Sequence, residues 1–301
     1  MRPWCLVAAV TIAVVSVEPG LLAQKQQQIF MSVTAANGTP VAGVQASEVG
    51  IMEDGVDCKV VKVEPIDWPT KVQVLVDNGQ ANTNPINPLR EGLKGLFSQI
   101  PDGVEMSLYT TAGPPRPIVK ATTDKQKLMD GIGLIVPDGG AGMFFDALME
   151  AADRIEKDKT PNFPVIVMVG SDSAIIRVLD RDYTKLQQTI FNHGVTTHII
   201  VMTGGMGGAN AASNTSGGPQ TEIGVRLTKL SGGRYESIGA ATRLATLLPE
   251  LGKQIAASAA RQSHQYRITY ERPANPKAQP QIAASVRREG NVELSLHGNL
   301  P

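Results

Sequence analysis

Pro164-Val165-Ile166-Val167-Met168-Val169, followed at once by Gly170-Ser171-Asp172-Ser173, is the stretch whose reading decides the fold. An apolar run this unbroken and this rich in Val and Ile belongs in a sheet covered on both faces, and the small polar residues after it mark a loop at the strand's carboxyl end. Outward in both directions the pattern repeats. Upstream, Lys71-Val72-Gln73-Val74-Leu75-Val76 is a second such strand and ends at Asp77; downstream, Thr196 to Met202 is a third. Helices fill the intervals: 88–100 with Leu89, Leu93, Leu96 and Phe97 spaced at three and four, then 124–133, 143–157, 182–193, 221–231 and 240–260. Val104 to Tyr109 and Arg234 to Ser237 add strands, and Arg116-Pro117-Ile118-Val119 reads as an edge strand because proline cannot donate to a ladder. Strand alternating with helix predicts an α/β fold, a doubly wound and mostly parallel sheet.

The ends of the chain change period. Ile29 to Thr34, Val49 to Glu53 and Cys58 to Val63 alternate in twos around turns at Asn37-Gly38 and Asp54-Gly55. So do His264 to Tyr270, Gln281 to Arg288 and Val292 to Leu296. A lone hairpin is marginal in water, so the N- and C-terminal strands are expected to join in one small β-sandwich.

The first residues carry a different message. Arg2 precedes an apolar run of about 12 residues from Leu6 to Val17, too short to span a bilayer comfortably, and Leu21-Leu22-Ala23 offers a cleavage point. The expected division is a signal peptide at 1–23, β-strands at 24–66, the α/β domain at 67–260 and the completing strands at 261–301. A secreted or periplasmic protein with no stable membrane insertion after cleavage follows; the alternative is an uncleaved anchor. Removing 1–23 takes Cys5 and leaves Cys58 alone, so no internal disulfide is possible. Lys plus Arg equals Asp plus Glu at 28 each with no basic block, which speaks against a nucleic-acid partner, and 4 His with 2 Cys leave little for a soft-metal cage.

Open α/β sheets bind ligands beyond the carboxyl ends of their strands, so the loops after 76, 136, 169 and 202 hold the candidate site. Here the sequence resembles the von Willebrand factor A (vWA) domain. The strand 71–76 with Asp77 resembles that family's first strand and metal loop. Asp138-Gly139-Gly140-Ala141-Gly142-Met143-Phe144-Phe145-Asp146-Ala147-Leu148 resembles its Gly-Gly-Thr-x-Leu-Tyr-Asp-Ala-Leu stretch, and Val165 to Ser173 its strand leading to Thr-Asp-Gly. The flanking strands are similar to those of exported A-domain-related proteins abundant in acidobacteria.

The resemblance implies a metal-ion-dependent adhesion site built from Asp-x-Ser-x-Ser, a Thr and a second Asp around Mg²⁺. Position by position, Asp77 is retained, the serines fall on Gly79 and Ala81, the Thr on Gly142, and the third-loop Asp on Ser171, with Asp172 displaced by one. Mg²⁺ demands near-ideal octahedral oxygen geometry, so the expectation is a degenerate site and no cofactor. The alternative is a shifted Mg²⁺ site around Asp77, Ser171 and Asp172, with Asp138 beside them. The implied function is non-enzymatic protein binding, adhesion or scaffolding, at a rim that includes Asn78, Gly79, Asp138, Gly142 and Ser173. A hydrolase built on Ser171 is the remaining reading and needs a histidine such as His193 or His198 within hydrogen-bond reach. The glycine-rich loop 204–208 runs into further small residues instead of a helix and reads as a surface loop.

Overall fold

The computed structural model describes residues 26–79, 86–172, 176, 178–203, 218–262, 264–275, 281–288 and 292–297; the expected signal peptide lies outside them. The centre is a six-stranded sheet of β5 (Thr70–Val76), β6 (Glu105–Thr110), β7 (Arg116–Thr122), β8 (Phe163–Ser171), β9 (Thr196–Met202) and β10 (Tyr235–Ile238). Its order is β10-β9-β8-β5-β6-β7, and every neighbouring pair is parallel except the antiparallel edge strand β7. All nine residues of β8 are buried, as its composition requires at the centre of a two-sided sheet.

Helices α1 (Ile86–Gln99), α2 (Lys125–Gly133) and α6 (Leu244–Gln262) cover one face, where Val72, Val74 and Val76 meet Leu89, Leu93, Leu248 and Leu251. Helices α3 (Phe144–Lys157), α4 (Asp180–Asn192) and α5 (Pro219–Ser231) cover the other, where Leu75, Ile166 and Met168 meet Phe144, Leu148 and Leu186. Local chemistry sets several helix ends. Asp124 caps α2 by accepting from the Gln126 and Lys127 amides, and Pro219 opens α5, which Gly232 closes in the left-handed region at φ +67°. The last helix is shorter than its sequence pattern suggests: a 3-10 turn, Ala241–Arg243, precedes Leu244. Among the described residues no helix is long and apolar enough to cross a membrane.

Strands from both ends of the chain build two small antiparallel sheets. One has the order β13-β1-β11-β4, from β1 (Gln26–Ala35), β4 (Val60–Ile66), β11 (Gln265–Glu271) and β13 (Val292–His297); the other, β12-β2-β3, is made of β2 (Val49–Glu53), β3 (Val56–Cys58) and β12 (Ile282–Val286). Ile29, Met31, Ile268 and Tyr270 of the first share a core with Val49 and Ile51 of the second. The expected single strand over 58–63 is divided at Lys59, because Cys58 pairs with Ile51 in one sheet while Val60 pairs with Tyr270 in the other. Asp54 and Gly55, at φ +51° and +83°, form the two-residue turn between β2 and β3. Trp68 joins these sheets to the α/β core, its ring centroid 5.6 Å from both Phe30 and Phe163.

Candidate functional site

The sheet changes winding direction between β5 and β8, which puts the crevice of a doubly wound fold at their carboxyl ends. Asp77 follows β5 and Ser171 ends β8. The two strands are neighbours, and the Asp77 amide extends their ladder by donating to Val169 O at 2.8 Å. Asp77 is 1% exposed and Ser171 3%. The Ser171 hydroxyl donates to Asp77 Oδ2 at 2.9 Å, and the Gly79 amide donates to Asp77 Oδ1 at 2.8 Å, an Asx turn that folds the loop back over the strand end.

The second loop closes on the same carboxylate. A bridge pairs Ala112 with Gly142, the Met143 amide donates to Thr111 O at 2.8 Å, and Gly113 donates to Ala141 O at 3.0 Å. These bonds press the Gly142 backbone onto Asp77: a Cβ built on Gly142 would overlap Cγ and both carboxylate oxygens. Gly79 is hemmed in likewise, since a Cβ there would stand 2.8 Å from Gly140 O and 2.9 Å from Gly142 N. Two of the three positions at which the vWA resemblance asks for a hydroxyl, 79 and 142, are thus occupied by glycines with no room for a side chain.

Asn78 ties the loops together from beneath. Its Nδ2 donates to Val136 O at 2.8 Å, its Oδ1 accepts from the Ala112 amide at 3.2 Å, and its carbonyl accepts from the Asp138 amide at 2.8 Å. Arg90 on α1 holds the next stretch through Ile135 O at 2.6 Å and Gly133 O at 3.3 Å. Asn78, Gly79 and Gly142 therefore lie buried under the rim. Asp138 keeps solvent contact, accepting from the Gly140 amide at 2.9 Å with Arg116 at 3.7 Å. Asp172 is exposed just beyond Ser171; its amide donates to Met202 O and its carbonyl accepts from Gln220 Nε2 at 3.1 Å. Ser173 and Ala81, with most of the loop after residue 203, lie outside the described residues.

Asp77, Asp138 and Asp172 are not drawn into one cluster: among the described residues, no three His, Cys, Asp or Glu side chains converge to hold a metal ion. At Asp77 itself, Oδ2 accepts from Ser171 and Oδ1 from the Gly79 amide, and neither position 79 nor position 142 has room for a side chain in this backbone. The geometry also removes the two candidate bases for Ser171. His198 pairs with Val167 while Ser171 pairs with Met202, four residues further along, roughly 13 Å at strand spacing. His198 is buried, its Nδ1 accepting from the Arg234 amide at 3.1 Å; burial first, then the Arg234 cation, push its pKa down to about 4. His193 caps the far end of α4, before β9 begins.

Three exposed apolar side chains stand out on this end of the molecule. Leu134 and Val136, in the loop after α2, are 65% and 57% exposed, and Leu179, just before α4, is 61% exposed. An apolar residue inside a loop rich in Gly, Pro and Asp is the signal that would have found them.

No family model and no curated protein gives a match to the sequence. Solved structures do match in fold. The von Willebrand factor type A protein from Catenulispora acidiphila is 11% identical, with 92% of this chain and 73% of that one covered at a TM-score of 0.52. The SpRpn10 VWA domain is 14% identical over 62% of this chain and 97% of its own, TM-score 0.48, and BatB from Bacteroides thetaiotaomicron 10% identical over 62% and 98%, TM-score 0.46. The α/β domain of this chain is therefore structurally similar to vWA domains.

Proposed function

We propose that this chain is an exported, non-enzymatic protein-binding module of the vWA type, allied to the exported A-domain-related proteins, which engages a protein partner through its carboxyl-end rim without a metal ion. The observation that carries this reading is the seating of the Asp77 carboxylate on Gly142, which fills the place where a metal-binding hydroxyl would stand. Support for a protein partner comes from the exposed Leu134 and Val136 in the loop that also carries Asp138, which pairs with Arg116, and from the exposed Leu179 in the loop after β8. The rigid bonding of Asn78 and Arg90 beneath them keeps the surface preformed, which lowers the cost of binding.

In-cell photo-crosslinking tests it. A photo-crosslinking amino acid in place of Val136 or Leu179 is expected to trap a discrete protein adduct that persists in EDTA, while the same group at the exposed Lys94 of α1 traps none. Absence of rim adducts, or their loss on chelation, contradicts the reading.

A further inference from the structure

At the opposite end of the sheet from the rim, where β5 begins at Thr70 and β8 at Phe163, the loop joining α3 to β8 meets the end of α4 and the segment that enters β5. Between them lies a cavity of ≈ 270 Å³ lined by Trp68, Ile155, Thr160, Pro161, Asn162 and His193 among others. Its walls are fixed by bonds made to the rest of the protein. Trp68 packs on Phe30 and Phe163 with ring centroids 5.6 Å apart, and the Phe163 amide donates to Pro69 O at 2.9 Å, which seats the neighbouring residue on the start of β8. Asp158 Oδ1 accepts from the Thr160 amide at 3.0 Å and from its hydroxyl at 2.6 Å, so the loop turns tightly. Asn162 Nδ2 then donates to Thr160 O at 2.7 Å and to Asp158 Oδ2 at 3.2 Å, which sets the direction of its side-chain amide. The His193 amide donates to Thr189 O at 3.0 Å at the end of α4. Trp68, Asn162 and His193 each keep part of their surface open to solvent. Among the described residues, the Trp68 indole N–H, Asn162 Oδ1 and the two ring nitrogens of His193 have no hydrogen-bond partner within the protein.

We propose that this cavity binds a neutral pyranose ring, with Trp68 against the ring's C–H face and Asn162 and His193 meeting its hydroxyls. The face of an indole is the negative side of its quadrupole, and the axial C–H bonds of a pyranose present a weakly positive, apolar face to it. Hydroxyls around the same ring both donate and accept, which is what an amide oxygen and an imidazole require together. Charge does not select the ligand here. Lys71 holds Asp158 at 2.7 Å, the Lys159 ammonium donates to Glu156 O at 3.2 Å, and the Glu156 carboxylate has Lys185 at 4.0 Å. At ≈ 270 Å³ the cavity stands near the lower bound of small-molecule pockets, about 300 Å³, which matches one ring and not a chain of them. Its place between the terminal sheets and the α/β core is one that ligand sites favour, and walls fixed in advance lower the cost of ordering on binding.

The test is an NMR titration of the ¹⁵N-labelled full chain, following the Trp68 indole N–H resonance, identified by its loss in Trp68→Phe. The probes are the methyl glycosides of glucose, galactose, mannose and N-acetylglucosamine, with sorbitol as an open-chain polyol that has the hydroxyls and no ring face. At least one glycoside is expected to give a saturable shift at millimolar concentration, and sorbitol none. In His193→Ala, which removes a ring that no other protein group bonds, the affinity for that glycoside should fall about 5-fold while the melting temperature stays the same. Failure of every glycoside, or an equal response to sorbitol, overturns the inference; so does an affinity that His193→Ala leaves intact. A shift with acetyl-Pro-Pro-Pro-amide and with no glycoside assigns the cavity to a proline-rich segment and overturns it as well.

Discussion

The carboxylate of Asp77 lies directly against the Cα of Gly142, so close that a Cβ on Gly142 would overlap both of its oxygens. This contact joins the loop after β5 to the loop before α3 and explains why glycine is required there. Gly142→Ala is expected to destabilise the protein by ~1–3 kcal/mol through overpacking, measured by urea unfolding. In an Asp77→Ala background the same change should cost much less, and additive costs in the double-mutant cycle would show that the two residues do not press on each other.

Glu53 is fully buried in the small sandwich, with Arg272 Nε at 2.9 Å from Oε1 and the Tyr270 hydroxyl at 2.9 Å from Oε2. Removing one partner of such a pair strands a buried charge. Arg272→Met should therefore cost ~3–5 kcal/mol, and Tyr270→Phe only ~1 kcal/mol. Equal, small effects in chemical denaturation would mean that the network is solvated.

Helices α1 and α6 touch through glycine: a Cβ on Gly92 would stand 2.8 Å from Leu248 Cδ1 and 2.9 Å from the Leu244 carbonyl carbon. Gly92→Ala improves local helix propensity by ~1 kcal/mol, yet the clash with backbone should outweigh it and lower the melting temperature. A rise in melting temperature would show that α6 can slide away at no cost.

His198 makes stability depend on pH with a definite sign. Its pKa of about 4 in the folded protein lies below the ordinary 6.5, so between these values the unfolded chain binds a proton that the folded chain does not. Stability should fall as pH drops from 6.5, by up to about 3 kcal/mol, and this contribution should level off near pH 4. His198→Asn keeps an acceptor for the Arg234 amide and should flatten this part of the pH profile of the urea midpoint. An unchanged profile in the variant would assign the pH dependence to other groups.

Most of the fold was legible because each element's burial is written in its own residues. The unbroken run at β8 and the three-four spacing of α1 need no distant partner to be read. Cys58 to Val63 misled because the alternation runs straight through Lys59; the division arises only when the strand leaves one sheet for the other. Asp77 and Ser171 stand at strand ends that the sequence marks, whereas the bonds of Asn78 depend on Val136 and Ala112, far away in sequence. Arg154 reads as one more charge on a helix. Its bond to Gln73 and its stacking on Tyr109 arise only once the strands are side by side.

Calorimetric titration of the full chain with Mg²⁺, Mn²⁺ and Ca²⁺ puts the central claim to its most direct test. With Asp77 committed to Ser171, Gly79 and Gly142, the expected result is no saturable binding of any of the three ions at micromolar concentration, in wild type and Asp77→Ala alike. Micromolar binding by the wild type that Asp77→Ala abolishes would contradict the account and reinstate a cation-dependent adhesion site around Asp77 and Asp172.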